Sequence, residues 1–304
     1  MTIQLLEGLK EYLNQSGLLD SQNIQTKYPK EKQIIYDKLG EDLCCSLAES
    51  GAILAGGALT SLFTNKEIND WDIYFKNKEG VSKFILGLFD KHKTNSLSWE
   101  DIRPVHATTK AYLCQNSKGE DIQLILYKLF ETPQDIFKSF DFTVNMVAYD
   151  FEKEEFIFHK DFWKHASQRF LSFNENTDYP LVSALRVKKY TDKGYTISKA
   201  QMLRIMFTVN KKNFNSWEDV IDECGSMYGL DPSEIFPTDQ EFSLDKVLEC
   251  LEDVFIPSKI YELKQIDFRD TCKQFKNVIT DNLYNFSETM SPWAMYKEDE
   301  IYES

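Results

Sequence analysis

The stretch LAGGALTSLFTNKEINDWDIYF, residues 54–75, constrains this chain more than any other. Gly56 and Gly57 open a short mixed run, and then Asp70 and Asp72 alternate through DWDIYFK, which reads as a β-strand over 70–76. On a strand, residues i and i+2 share a face, so the two carboxylates stand side by side while Trp71 points the other way into packing. Adjacent carboxylates repel each other unless a divalent cation lies between them. Mg2+, with Mn2+ as the alternative, takes carboxylate and triphosphate oxygens together. Two such ions can activate an attacking hydroxyl and stabilise a leaving pyrophosphate. Gly56 and Gly57, without side chains, let backbone amides approach phosphate oxygens, and a helix begun within 59–63 would favour the same charge at its N-terminus. Alone, each element reads as a tight turn or a loop cap. Their order and spacing point to a bound nucleoside triphosphate, with Asp70 and Asp72 as metal ligands and catalytic groups.

The rest of the composition narrows the class. A chain of 304 residues allows two domains or one large one with extensions. Hydrophobic residues make up 42%, with 22 Phe and 15 Tyr, which supplies an aromatic core and excludes a disordered chain. No apolar run has the length needed to cross a membrane, and MTIQLLEGLKEYL reads as a helix rather than a signal peptide, so a cytoplasmic location is expected. The cysteines (Cys44, Cys45, Cys114, Cys224, Cys250 and Cys272) form no Cys-x-x-Cys pair, and His92, His106, His159 and His165 have no zinc-protease spacing. Reduced thiols are therefore expected, rather than disulfides or structural zinc. The net charge of -14 opposes a large nonspecific nucleic-acid surface. Residues 181–212 nonetheless gather Arg186, Lys188, Lys189, Lys193, Lys199, Arg204, Lys211 and Lys212 against Asp192 alone. That run reads either as a solvated helix pair or as a surface for phosphates or RNA.

Periodicity predicts helices over 1–20, 32–52 and 81–89, with 40–53 leading into the glycine turn. Strands are predicted over 108–114 and 122–127, joined by the hairpin-like CQNSKGED. A short helix over 132–139 opens with a Thr132 cap and Pro133. Beyond about residue 160 helical runs dominate, at 181–190, 198–208, 215–225, 244–253, 257–264 and 268–284, after a linker over 174–179.

Residues 54–75 resemble the nucleotidyltransferase superfamily, whose signature is a Gly-Gly or Gly-Ser turn followed by an Asp-x-Asp strand. SFDFTVNMVAYD, residues 139–150, is similar to the Arg-Arg-Asp-Phe-Thr-Ile-Asn-Ala-Leu-Ala-Tyr run of tRNA CCA-adding enzymes and bacterial poly(A) polymerases. Asp141, Phe142, Thr143 and Asn145 stand at the matching places. Pro180, Leu181, Leu185 and Arg186, continuing through Lys189 and Tyr190 to GYTI at 194–197, resemble that family's first neck-helix region, where an Arg contributes to nucleotide handling. The resemblance spans residues 50–200. The departures are that Thr60 and Ser61 stand near the family's Arg-Asp, Ser139 and Phe140 replace its Arg-Arg, and no Glu-Asp-x-x-Arg element is found.

The resemblance implies an α+β, polymerase-beta-like head with a small mixed sheet over 1–165 and a mainly helical neck or body over 166–304. It implies metal-dependent transfer of an NMP from an NTP to an acceptor hydroxyl, with pyrophosphate released and an RNA or tRNA 3′ end as acceptor. The alternatives are a toxin- or defence-like enzyme acting on tRNA, protein or a nucleotide, and a degenerate nucleotide-binding scaffold. Many superfamily members use a third carboxylate on a neighbouring strand, for which Asp121 is the candidate and Glu120 the alternative. Asp121 also reads simply as a hairpin acid. Asp141 and Asn145, four apart, share a face in either a helix or a strand, and Thr143 joins them in a strand. They would reach a ribose or triphosphate together, or serve as structural hydrogen-bonding groups. Arg186 and Lys189 would neutralise triphosphate charge from the second domain. Lys76, Lys78, Arg103 and Lys110 are weaker phosphate candidates, and Trp99, Trp163, Trp217 and Trp293 read as core or interface.

Overall fold

The structure, a computed structural model, describes residues 25–26, 28–89, 102–107, 111–126, 128–224 and 235–254. The predicted helices over 1–20, 257–264 and 268–284, together with Trp99, Trp293 and Cys272, lie outside the described residues.

The architecture is α+β. Eight strands form one mixed sheet: β1 (Gln25–Thr26), β2 (Ala52–Ala55), β3 (Asp70–Phe75), β4 (Ile102–Ala107), β5 (Ala111–Asn116), β6 (Asp121–Ile125), β7 (Val147–Asp150) and β8 (Glu155–Phe158). Their order across the sheet is β1-β8-β7-β2-β3-β6-β5-β4. Only the β3–β6 pair is parallel among these neighbours, with Asp70 opposite Asp121 and Asp72 opposite Gln123. The sheet is larger than the small one expected, because β1, β4 and β8 extend it at both edges.

Helix α1 (Pro29–Leu39), α2 (Glu41–Glu49), α3 (Gly57–Phe63) and α4 (Lys78–Phe89) contribute to the core on one sheet face. The single helix predicted over 32–52 is two helices, broken at Gly40, whose φ of 96° is a left-handed conformation that suits glycine. Residues 50–53 do not lead helically into the glycine turn, since β2 intervenes. In β3 the alternation holds: Trp71, Ile73 and Phe75 enter this core, all 0% exposed, so Asp70, Asp72 and Tyr74 face the opposite side. Trp71 Nε1 donates to Glu120 Oε2 (2.9 Å), and Glu120 also receives Lys38 (2.7 Å).

On the second sheet face, α5 (Pro133–Ser139) and Phe130 cover Tyr74, Ile53, Ala55, Ala148 and Ile125. Thr132 caps α5 by accepting from the Asp135 amide (3.3 Å). A 3-10 turn, Thr143–Asn145, precedes β7. Then follow α6 (Phe162–Gln168), β9 (Phe170–Leu171), α7 (Pro180–Asp192), β10 (Thr196–Ile197), α8 (Lys199–Asn210), α9 (Trp217–Cys224) and α10 (Leu244–Val254). Phe142, Val144, Leu171, Phe173, Tyr190 and Ile205 form one buried cluster, so the 141–145 segment packs directly on α7 and α8. The predicted linker at 174–179 is a packed strap. Asn174 Nδ2 donates to the carbonyls of Lys138 (2.9 Å) and Phe140 (2.8 Å), and Thr177 Oγ1 donates to Ser139 O (3.1 Å). No helix among the described residues is long and apolar enough to cross a membrane. Cys44, Cys45, Cys114, Cys224 and Cys250 are free thiols.

Candidate active site

β2 ends at Ala55 and the chain turns at Gly56, whose φ of 96° and ψ of -142° lie where side chains are excluded. A Cβ added there would stand 3.4 Å from Phe140 Cζ and 3.5 Å from Asp72 Oδ2, so the turn lies directly against the second aspartate. Gly57 starts α3, and a Cβ there would meet nothing within 4 Å. The close approach therefore belongs to Gly56, while Gly57 leaves open space. Thr60, which stands near the family's Arg-Asp, is buried and donates to Val144 O (2.7 Å), tying α3 to the 143–145 turn.

Asp70 and Asp72 stand on the same sheet face as α5, opposite the Trp71 core. Enclosure by protein and the neighbouring Asp70 charge push the Asp72 carboxyl up to about 8, while Arg186 and Lys189 pull it back down. The Lys189 ammonium is lowered first by burial, then by Arg186 and Lys193, against the opposing pull of Asp70 and Asp72. Helix α7 thus brings two cations to the carboxylate pair. Gln123 Nε2 donates to Asp70 Oδ2 (3.1 Å) and Gln115 Nε2 to Asp121 Oδ1 (3.1 Å), so amides brace two carboxylates on adjacent strands. Asp121 lies beside Asp70 in register and on its face. Glu120, the alternative, is turned to the other face by its bonds to Trp71 and Lys38.

The remaining candidates sit one layer behind. Asp141 and Asn145 are 4% and 3% exposed. Asp141 Oδ1 accepts from the Phe142 amide (2.8 Å) and from Asn145 Nδ2 (3.1 Å). Arg186 Nη1 lies 2.9 Å from Asp141 Oδ2, an ion pair without hydrogen-bond alignment at that oxygen. Arg186 Nη2 donates to Tyr190 Oη (3.0 Å), and Asn145 Nδ2 donates to the same hydroxyl. Thr143 Oγ1 pairs with His165 Nδ1 (2.6 Å) on α6, and so bonds away from Arg186 and Tyr190. Of the weaker candidates, Lys76 is paired with Asp150 (2.9 Å) and Glu152 (2.9 Å). In the basic run, Arg186, Lys188, Arg204 and Lys212 each pair with an acidic group, namely Asp141, Asp192, Glu175 and Glu223, which reduces its capacity as an RNA surface.

Tyr190 has no site signal in the sequence beyond lying one turn from Arg186, whereas strand periodicity puts Gln123 on the face of Asp121, where it bonds Asp70. Phe140 was seen only as a lost arginine, yet its ring lines the Gly56 turn.

No group of three or more His, Cys, Asp or Glu suited to a metal occurs among the described residues. Asp70 and Asp72 still fit a divalent cation, because Asp72 is enclosed beside a like charge that a cation held by both carboxylates would relieve.

The structure is similar to those of CCA-adding enzymes. An apo form I is 14% identical with a TM-score of 0.47, covering 87% of this chain and 67% of that one. A complex with ATP is 10% identical with a TM-score of 0.46, covering 88% and 56%. The Thermotoga maritima enzyme complexed with tRNA is 13% identical with a TM-score of 0.44, covering 91% and 72%. At the sequence level, the model of the Gabija anti-defense 2 family matches residues 26–169. The protein named Gabija anti-defense 2 from Bacillus phage SPbetaL7 is 40% identical over 246 residues, which are 80% of this chain and 59% of that protein. The chain thus spans less than two thirds of that relative's length and is similar, over most of its own, to an anti-defence protein of a phage.

Proposed function

We propose that this protein is a nucleotidyltransferase that serves an anti-defence role. The observation that carries the reading is that Gly56 lies against Asp72 while Asp70, Arg186 and Lys189 act electrostatically on the same carboxyl. The head, residues 1–165, supplies the carboxylates and the turn, and the helical part, 166–304, supplies the cations. Asp70 and Asp72 would hold Mg2+ or Mn2+, which when bound neutralises the triphosphate and lowers the pKa of the acceptor hydroxyl. The Gly56 amide donates to Val147 O (3.1 Å), so Gly56 would serve by leaving room for a phosphate beside Asp72 rather than by bonding it. Arg186 and Lys189 stabilise the charge that develops as pyrophosphate departs. The acceptor oxygen forms a bond to the α-phosphorus, the bond from that phosphorus to the bridging oxygen of pyrophosphate breaks, and Asp121 takes the acceptor proton.

The 40% identity to an anti-defence protein favours an acceptor within a host defence system, a protein or nucleotide, over the RNA or tRNA 3′ end that the motif resemblance implies. The paired cations of 181–212 support the same preference.

The test incubates purified protein with each labelled NTP, Mg2+ or Mn2+, and in turn a small-RNA pool and purified Gabija proteins, with Asp70→Asn/Asp72→Asn beside it. Label transferred by the wild type alone supports the reading, and its destination identifies the acceptor. In parallel, phage carrying either version are plated on cells with Gabija. Loss of protection in the double variant ties the role to the site. Equal protection, together with no transfer, would leave a binding or scaffold protein.

A further inference from the structure

Asp141, Asn145, Tyr190 and Arg186 close a ring. Asn145 spends one side of its amide on Asp141 Oδ1 (3.1 Å) and on the Tyr190 hydroxyl, Arg186 reaches that hydroxyl at 3.0 Å, and its other nitrogen lies 2.9 Å from Asp141 Oδ2. The orientation of Asn145 is dictated by charge, because turning the amide over would set Oδ1 against the Asp141 carboxylate. Tyr190 is held in turn by its ring, edge-on to Phe142 at 5.3 Å and to Tyr195 at 5.8 Å. The guanidinium carbon of Arg186 lies 5.6 Å from the Tyr190 ring centroid.

Three members of this ring are buried, at 4%, 3% and 7% exposure, whereas the Arg186 side chain is 35% exposed. Three groups are turned inward, and the fourth keeps a solvent-facing part beside the carboxylate pair. The two oxygens of this pair left without a hydrogen bond, Asp141 Oδ2 and Asn145 Oδ1, are buried, so Asp141 and Asn145 face the ring rather than solvent. A free arginine must lose rotamer freedom when it binds phosphate, and one already held loses less.

Resting on the nucleotidyltransferase reading, we propose that Tyr190 is a positioning residue, acting with Asp141 and Asn145 to hold the Arg186 guanidinium where it meets the phosphates of the bound nucleotide. Arg186 then takes the place of the arginines absent at Ser139 and Phe140, and Phe140 is free to wall the Gly56 turn. The unit joins the head segment 141–145 to α7, so the phosphate contact depends on both.

The test is binding of a non-hydrolysable ATP analogue and of adenosine, in Mg2+, by titration calorimetry. Tyr190→Phe keeps the ring and removes the hydroxyl. It should weaken the analogue about tenfold, as expected for a charge-assisted hydrogen bond, and leave adenosine unchanged. Arg186→Ala should weaken the analogue at least as much, and the double variant should be no weaker than Arg186→Ala alone, because Tyr190 acts only through Arg186. A packing role for Tyr190 would instead weaken both ligands or add to the arginine loss, and either result overturns the proposal. If Tyr190→Phe does not fold, Asp141→Asn carries the same expectation and the same contrary result. Failure of the wild type to bind the analogue overturns the proposed function and this inference together. Equal binding by wild type and a folded Tyr190→Phe overturns the inference alone.

Discussion

At the residue scale, Gly56 and Asp72 have the least freedom. Gly56 adopts a backbone conformation closed to other residues and lies against the Asp72 carboxylate. Gly56→Ala should destabilise the protein by about 1–3 kcal/mol and reduce transfer more than that loss accounts for, because the turn shifts relative to Asp72. Chemical denaturation and turnover on the same sample check both parts. Asp72→Asn removes a carboxyl whose ionisation the fold opposes through burial and the Asp70 charge. Metal-free protein should then melt higher, by at least ~2 °C, while transfer is lost. A fall in melting temperature would mean that the carboxylate is stabilising as it stands.

At the element scale, two attachments matter. Glu120 receives both the Trp71 indole and Lys38, binding β3 to α1 across the core. Glu120→Ala leaves a buried donor without its partner and should cost about 1–3 kcal/mol by urea denaturation, with little change in nucleotide affinity. Helix α6 is joined to the 143–145 turn through His165 and Thr143. Burial lowers the His165 imidazole below its ordinary value, and His159 is lowered for the same first reason. The folded state therefore binds fewer protons than the unfolded chain, so this contribution is complete above the ordinary histidine range near 6.5 and is lost as pH falls below it. Melting temperature should drop between pH 6.5 and 5, and His165→Gln should flatten the drop.

Elements were legible where local pattern and tertiary placement agreed. The alternation of DWDIYF survives because β3 is central and loads one face with core side chains. The strand Ile102–Ala107 was missed because Pro104 sits inside it. Such a proline is tolerated because β4 is the edge of the sheet and its register shifts between Pro104 and His106. The parallel pair of β9 and β10 joins residues 170–171 to 196–197, and no local signal announces so short and distant a pairing.

For the whole molecule, the central issue is how the two parts of the chain meet. Gly56, Asp70 and Asp72 could be read from one contiguous stretch. Arg186, Tyr190 and Gln123 reach the same place from distant segments, which only the packing of 141–145 on α7 and the β3–β6 register bring about. A charge of -14 also acts over the whole surface, so the local cations on α7 must outweigh a repulsive background to hold a triphosphate. Divalent cation and nucleotide should therefore bind together, each raising the affinity of the other.

The most direct measurement is the melting temperature of wild type and Asp70→Asn/Asp72→Asn protein with Mg2+, with a non-hydrolysable ATP analogue, and with both. A site of this kind gives the wild type a rise with both ligands larger than the sum of the separate rises, and gives the double variant no such excess. Equal rises in the two proteins, or none in either, would contradict a metal-dependent nucleotide site at Asp70 and Asp72.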